Sequence, residues 1–173
     1  MTKYVKSILV LSLIGMVLAF LLGAANAITA PEIERVEKEK TLKALSEVYK
    51  TATDFNELDI AEIEGIPSTV TEVYSANDGG FVIKLKTNGY SSDFIILCGI
   101  SASGEVTGAT TISSKETLGQ EKTYGAALLG ASHETIDSVD TVSHATKTTS
   151  AYRDAVKDAL LTASLIAENS EEG

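Results

Sequence analysis

Hydrophobic positions along this chain change their spacing three times. An uncharged apolar run extends from Ile8 to Ala27, and a helix of that length can cross a hydrocarbon layer about 30 Å thick. From Ile33 to Tyr49, apolar side chains recur at helical spacing between charged ones. This spacing predicts an amphipathic helix over residues 31–51 that packs on a sheet.

From Ser68 to Ser114 the pattern changes to short runs rich in β-branched residues, which predicts a meander of antiparallel strands. Asn77–Gly80 and Ser103–Gly104 supply residues that tolerate the positive φ of tight hairpins. The run Phe94–Cys98 is apolar on both faces, so it should be a central strand that is covered on each side. The four predicted strands are Thr69–Ala76, Phe81–Thr87, Phe94–Ser101 and Val106–Ser113.

The remaining segments predict loops and one more helix. Residues 51–67 are acidic and irregular, and 115–124 are polar with glycine, so both should be loops, while 136–142 should be a brief extended piece. Alanines spaced at helical intervals predict a last helix over 150–168 with Ser150 as its N-cap. The fold class is therefore α+β, an antiparallel sheet packed by helices and preceded by one N-terminal transmembrane helix.

This division predicts a transmembrane anchor at residues 1–29 and an extracytoplasmic domain at 30–173. Lys3 and Lys6 precede the apolar run, which places the N-terminus in the cytoplasm by the positive-inside preference. Ala25-Asn26-Ala27 also fits the cleavage site of a signal peptide, which is the alternative. We favour a retained anchor because Pro31 follows at a position suited to the first turn of a new helix, without a polar linker.

Charge and cysteine content exclude several classes of function. All 24 acidic residues follow residue 29, together with 12 of the 14 basic ones, so the predicted domain has a formal charge of −12. Such a surface lacks the basic patches that nucleic acid needs. Cys98 is the single cysteine, so no intrachain disulfide can form, and we expect it to be buried and inert. One cysteine and two histidines are too few for a zinc site.

The segment Asp140-Thr141-Val142-Ser143-His144-Ala145-Thr146 contains the candidate chemistry. A threonine hydroxyl just before a helix lies where backbone N–H groups and the helix dipole favour a phosphate. A hydroxyl-rich capping loop has the same composition, and composition by itself favours that simpler interpretation. A hydrolase built on Ser143 and His144 is disfavoured, since adjacent residues rarely reach triad geometry and no Gly-x-Ser-x-Gly sequence occurs.

The predicted extracytoplasmic domain, with the end of the anchor before it, resembles the FMN-binding family. This family includes the G subunit of the Rnf electron-transport complex and the C subunit of the related sodium-pumping quinone reductase. The likeness covers nearly all of that domain. The residues that carry it are the anchor end Asn26–Pro31, Gly89-Tyr90 before the strand 94–100, Gly104–Gly108 continuing to Glu116-Thr117-Leu118-Gly119, and the segment Asp140–Thr146.

This resemblance implies that Thr146 is joined to FMN by a phosphoester. It makes Asp140, Ser143 and Ala145 recognition positions, and it places Glu116, Thr117 and Gly119 near the flavin. It also implies that a separate magnesium-dependent flavin transferase attaches the FMN from FAD. The chain would then have no catalytic residue of its own for that reaction.

Two departures from the family pattern stand out. His144 occupies a position where the family usually has Gly, so either the backbone there needs no positive φ or the attachment is less efficient. Leu118 replaces a common proline, which weakens the assignment of the 116–119 turn. Thr107-Gly108-Ala109-Thr110 also matches the end of the signature, but Gly104 stands in place of the Asp and Thr110 falls inside a predicted strand.

The resemblance finally implies a role in electron transfer. The chain would be a redox subunit of a ferredoxin:NAD oxidoreductase complex coupled to ion transport in the cell membrane, with other membrane and iron–sulfur subunits of the Rnf complex as partners. The alternative is a noncovalent flavin-binding or assembly module whose attachment site has decayed, with His144 as the trace.

Overall fold

The computed structural model describes residues 2–60 and 63–171 of the chain. The chain forms two compact units, Met1–Thr41 and Leu42–Gly173. Helix α1 runs from Thr2 to Val48. Its stretch Tyr4–Glu32 is long and apolar enough to cross a membrane and is exposed throughout its most apolar part, which is consistent with the predicted anchor.

Helix α1 continues through Pro31, where the sequence predicted that one helix ends and another begins. A proline ring fixes φ at a helical value and removes one backbone donor, so the chain can remain helical across it at the loss of one hydrogen bond. Strong helix formers surround Pro31, and Arg35 lies within 2.5 Å of Glu32 and 2.6 Å of Glu39 on the same face. These exposed pairs contribute only about 0.2–0.5 kcal/mol each, so they support the helix after Pro31 without offsetting the cost of about 3 kcal/mol of an interior proline.

Within the described residues, five strands form one antiparallel sheet in the order in which they occur along the chain. They are β1 (Phe55–Leu58), β2 (Val70–Ala76), β3 (Phe81–Thr87), β4 (Phe94–Ile100) and β5 (Val106–Ser113). The four predicted strands are confirmed, each to within one residue at either end. Strand β1 lies where the sequence predicted a loop. It is only four residues long, too short for an alternating pattern, and it is defined by pairing with β2, Phe55 opposite Ala76.

Strand β4 is the buried centre of the sheet, as its apolar sequence predicted. Its side chains alternate between two hydrophobic clusters on opposite faces of the sheet. Phe94, Ile96, Cys98 and Ile100 belong to the cluster that also contains the second long helix, whereas Leu97 belongs to the cluster that contains Leu45 and Val48. The sheet is therefore covered on both faces.

Two glycines allow the last turn of α1 to approach the sheet. A Cβ at Gly108 would lie 2.4 Å from the carbonyl oxygen of Val48, and one at Gly99 would lie 2.9 Å from it. The hydroxyl of Thr107 donates a 3.1 Å hydrogen bond to the same oxygen. The end of α1 thus contacts the sheet backbone to backbone.

Helix α2 runs from Thr146 to Glu171 and buries Tyr152, Val156 and Ala159 against β3 and β4. It begins four residues before the predicted N-cap, Ser150. Threonines are poor helix formers and resemble caps, but Thr148 and Thr149 are buried here, and burial outweighs their weak propensity. In the described segment between β5 and α2 lie three short 3-10 helices, one of them at Ile136–Ser138, where an extended piece was predicted.

Candidate functional site

The segment that ends in Thr146 turns sharply into α2. The N–H of Ala145 donates to the carbonyl oxygen of Val142 at 3.0 Å. The hydroxyl of Thr149 accepts from the N–H of Val142 at 3.2 Å and donates to the carbonyl oxygen of Ala145 at 3.0 Å. Since Ala145 and Thr149 are both buried, this turn is fixed from the protein side and only its outer residues face solvent.

His144 adopts a φ of 69° in this turn. The left-handed region is disfavoured for residues with a Cβ, although histidine occurs there more often than most. The position therefore does need a positive φ, and the interpretation that the backbone had no such need is wrong. His144 takes the conformation that a glycine would adopt without strain.

Thr146 is the first residue of α2, and its side chain is exposed. Its hydroxyl has a long contact of 3.5 Å with the carbonyl oxygen of Val142, so it is only weakly held. The backbone N–H groups of a first helical turn have no partner within the helix, and the helix dipole makes this end attractive to anions. An accessible hydroxyl thus lies where a phosphate would be stabilised.

Glu116 joins three segments beside this helix end. One of its carboxylate oxygens, Oε1, accepts from the N–H of Ser91 at 2.8 Å, and the other, Oε2, accepts from the hydroxyl of Thr148 at 2.6 Å. Gly89 permits this arrangement, because a Cβ there would lie 2.6 Å from Oε1 of Glu116 and 3.4 Å from the Cα of Thr148. The β3–β4 loop, the segment after β5 and the first turn of α2 therefore meet at one carboxylate.

A pocket of about 290 Å³ opens at this junction. Its walls come from the β3–β4 loop, the segment after β5 and the start of α2. The lining residues are Tyr90, Glu116, Thr117, Leu118, His144, Ala145, Lys147 and Thr148.

The structure brings some of the predicted site residues together at this pocket. Glu116, Thr117 and Ala145 line it, and Thr146 lies between two lining residues, Ala145 and Lys147.

The other predicted positions lie outside the lining. Gly119 has a φ of 71° and precedes a 3-10 helix. Asp140 and Ser143 are exposed, and the carbonyl oxygen of Asp140 accepts from the hydroxyl of Tyr124 at 3.1 Å.

Of the other lining residues, Tyr90, Leu118 and His144 were noted in the sequence only as parts of the family pattern, and Lys147 was not predicted as a contact. Tyr90 and Leu118 expose 72% and 62% of their surfaces at the mouth of the pocket. Lys147 and Thr148 follow Thr146 directly, and Lys147 Nζ lies 5.9 Å from the centre of the Tyr90 ring. Thr148 is one of the hydroxyls that the sequence places just before the predicted helix, where a phosphate is favoured, but its hydrogen bond to Glu116 could not be predicted from local spacing.

Asp93, near the pocket, forms ion pairs with two lysines. Asp93, in the β3–β4 loop, lies 2.9 Å from Lys86 and 3.6 Å from Lys115. The hydrogen bond from Lys86, with the charges of both lysines, lowers the pKa of the Asp93 carboxyl. Asp93 also has a positive φ of 61°. The two lysines favour its ionised form and help to order the loop that carries Tyr90.

A larger and more open groove of about 770 Å³ lies elsewhere on the domain. It is formed by hairpin turns and by the α2 residues Leu160, Ala163 and Ser164, about 20 Å along the helix from Lys147. Most of its lining residues are small, and none of the predicted site residues contributes to it. We place the site at the smaller pocket, where an exposed hydroxyl, a helix N-terminus and a hydrogen-bonded carboxylate lie close together.

Thr110, the competing match to the signature, lies inside β5 opposite Leu97. It is a sheet residue, as its sequence context predicted, and it does not belong to the pocket lining.

Comparison with known proteins finds two similarities, each covering part of the chain. Residues 89–161 match the family model of the FMN-binding domain. The chain is also 34% identical to a protein of Acetobacterium woodii that is named as the G subunit of the Na(+)-translocating ferredoxin:NAD(+) oxidoreductase complex. That similarity covers 64% of this chain and 60% of the relative, so the chain matches less than two thirds of the relative's length. The resemblance inferred from the sequence motifs is confirmed.

Proposed function

We propose, from the premise that residues 89–161 form an FMN-binding domain, that this chain is a membrane-anchored electron-transfer subunit that carries FMN covalently on Thr146. The observation that supports attachment is the position of the Thr146 hydroxyl. It is exposed, weakly bonded and located at the N-terminus of α2 beside the pocket. The bound FMN would supply the redox chemistry, and the protein would position and tune it.

We assign attachment to another enzyme, as the resemblance to the FMN-binding family implies. We propose that a flavin transferase uses FAD as the donor. The Thr146 oxygen forms a bond to the phosphorus of the FMN half, the bond to the AMP half breaks, and the hydroxyl proton is lost as AMP leaves. Asp140 and Ser143 are exposed just before Thr146 and lie outside the pocket. Their accessibility supports a role in recognition by the transferase.

Ala145 has a different role in this proposal. It is 5% exposed, and its N–H and carbonyl oxygen both take part in the turn. A larger side chain would have to displace the packing beneath the helix start. Ala145 therefore positions Thr146, while the exposed residues before it are available to the transferase.

The pocket would hold only part of the cofactor. Its volume of about 290 Å³ is at the lower limit of ligand pockets, which range over about 300–1,000 Å³. Glu116 and Thr117 would contact the enclosed part, and Gly119, close to them in sequence, would shape the turn beside it. A partly exposed flavin suits electron exchange with a partner and would be lost easily unless it were tethered.

We further propose that residues 1–29 anchor the protein in the cell membrane and that residues 30–173 form the extracytoplasmic domain. The exposed apolar helix supports the span, and Lys3 and Lys6 support a cytoplasmic N-terminus. Ala25-Asn26-Ala27 lies within helix α1, and the intact mass of the mature protein would show whether the chain is cleaved there. On the outer side free FMN would be scarce, so covalent attachment would prevent its loss.

The named relative supports a place in an Rnf-type complex. Its name describes the G subunit of a sodium-translocating ferredoxin:NAD oxidoreductase. We propose that the FMN of this chain is one carrier between ferredoxin and NAD, coupled to ion transport. Its partners would be the membrane and iron–sulfur subunits of that complex.

Intact mass tests covalent attachment directly. The full chain is produced with and without a flavin transferase, and the mass difference should equal one FMN phosphoester, mapped by peptide analysis to Thr146. Thr146→Ala should give a folded, colourless protein. Thr110→Ala, which alters the other signature match, should keep the flavin. A Thr146→Ala protein that retains stoichiometric flavin after denaturation contradicts the proposal.

A second candidate rests on His144, whose strained φ of 69° lies beside the attachment residue. If that strain prevents attachment, the domain would bind flavin without a covalent bond. Denaturation separates the two functions, since yellow protein after complete unfolding excludes the noncovalent module. Colour that is lost on unfolding supports it.

A further inference from the structure

The first turn of α2 contains a charge that the helix itself disfavours. Lys147 is the second residue of the helix, and the first turn contains no acidic residue. A helix N-terminus attracts anions and repels cations. Among the described residues, no carboxylate lies within ion-pair distance of Lys147. Its position is therefore not explained by helix stability or by a salt bridge.

The side chain of Lys147 lies instead against an aromatic ring. Its Nζ is 5.9 Å from the centre of the Tyr90 ring, and both residues line the pocket. Tyr90 is 72% exposed, and a cation on an exposed ring gains little stabilisation. This contact holds the ammonium at the pocket wall without neutralising its charge.

Within the described part of the chain, the neighbouring carboxylate of Glu116 forms no salt bridge with Lys147 and is bonded to other groups. Both oxygens of Glu116 accept hydrogen bonds, from Ser91 and Thr148. The predicted domain has a formal charge of −12, so its overall field opposes any further negative charge. A cation that projects into the pocket is the local feature that offsets this field.

We propose that Lys147 is a tuning residue for the flavin: its ammonium, held by Tyr90, faces the bound ring and stabilises the negative charge that the ring gains on reduction. This inference rests on the proposed function. A positive charge near the ring favours the reduced form and raises the reduction potential. The same ammonium offsets the repulsion between the flavin and the acidic domain.

The test measures the flavin reduction potential in the flavinylated full chain. Lys147→Met should carry the same stoichiometry of FMN by mass but show a more negative potential. At a fixed potential its ratio of oxidised to reduced flavin should rise by up to about fivefold, as expected for a single exposed charge interaction. The difference should shrink at high salt, because exposed charges are screened. Lys147→Arg should keep the wild-type potential.

A matched control shows whether the change in reduction potential requires a charge at the pocket or follows from the loss of any one positive charge of the domain. Lys122 is exposed in the loop after β5, and Lys122→Met should leave the potential unchanged. A wild-type potential in Lys147→Met overturns the inference while leaving the attachment proposal intact. Loss of flavin from Lys147→Met with full loading of Lys147→Arg also overturns it, since Lys147 would then act in attachment. A wild-type chain without flavin would refute the proposed function itself.

Discussion

The hydroxyl of Thr148 donates a 2.6 Å hydrogen bond to a carboxylate oxygen of Glu116, across 32 residues of sequence. This bond joins the first turn of α2 to the segment after β5. The other oxygen of the same carboxylate holds the β3–β4 loop through Ser91. The shape of the proposed flavin pocket thus depends on the Glu116 side chain, which is bonded to both the β3–β4 loop and the first turn of α2.

Thr148→Val should destabilise the protein, because the substitution keeps the volume but leaves Glu116 without one donor at a partly buried position. Hydrogen bonds to charged groups contribute about 1.5–3 kcal/mol to stability, and we expect a loss in that range in thermal or chemical denaturation. Thr146→Val is the matched control. Its hydroxyl is exposed with a 3.5 Å contact, so its stability should change by less than about 0.5 kcal/mol. Equal stability of the two variants would contradict the role of the Glu116–Thr148 bond.

His144→Gly should stabilise the protein, because it removes a side chain from a φ of 69°. The left-handed conformation costs a residue with a Cβ about 1–2 kcal/mol, and the greater freedom of glycine in the unfolded chain offsets part of that gain. We expect a net gain of about 0.5–1 kcal/mol in the free energy of unfolding. Ser143→Gly, at a position without positive φ, should be neutral or destabilising. A less stable His144→Gly would show that the imidazole makes a contact that outweighs the strain.

Gly108→Ala should disturb the contact between α1 and the sheet. The added Cβ would lie 2.4 Å from the carbonyl oxygen of Val48 and 2.8 Å from its Cα, so backbone has to move. Overpacking of this kind costs about 1–3 kcal/mol, measurable in the purified full chain by denaturation. Gly23→Ala, where a Cβ meets no atom within 4 Å, should leave stability unchanged or raise it slightly. Wild-type stability for Gly108→Ala would mean that the helix end adjusts freely.

Cys98 should be unreactive in the native protein. Burial raises the pKa of its thiol from 9.0 to about 12, and the thiolate is the reactive form. A thiol reagent at pH 8 should label one cysteine per chain only after unfolding in guanidinium. Because the folded pKa is raised, this group does not affect stability below about pH 9 and lowers it as pH rises from there towards 12. Rapid labelling of the native protein would show that β4 opens locally.

Most of the strands could be predicted because each local pattern agrees with the final fold. The run Phe94–Cys98 is apolar on both faces, which only a central strand accommodates, and glycine-rich turns separate it from its neighbours. Strand β1 could not be predicted, since a four-residue edge strand has no periodicity of its own. The start of α2 was placed at Ser150 because the threonines before it resemble capping residues, and only the burial of Thr148 and Thr149 shows that they are helical.

By itself the sequence determined the apolar N-terminal helix, the antiparallel sheet and the motif that ends in Thr146, because each depends on residues close together in the chain. Tertiary structure decided what surrounds that motif. Tyr90, Glu116 and Lys147 come from three separate segments, and the spacing between them in sequence carries no signal of their contact. The positive φ of His144 was likewise not fixed by its residue type, since histidine ordinarily adopts negative φ and only the turn into α2 forces it to do otherwise.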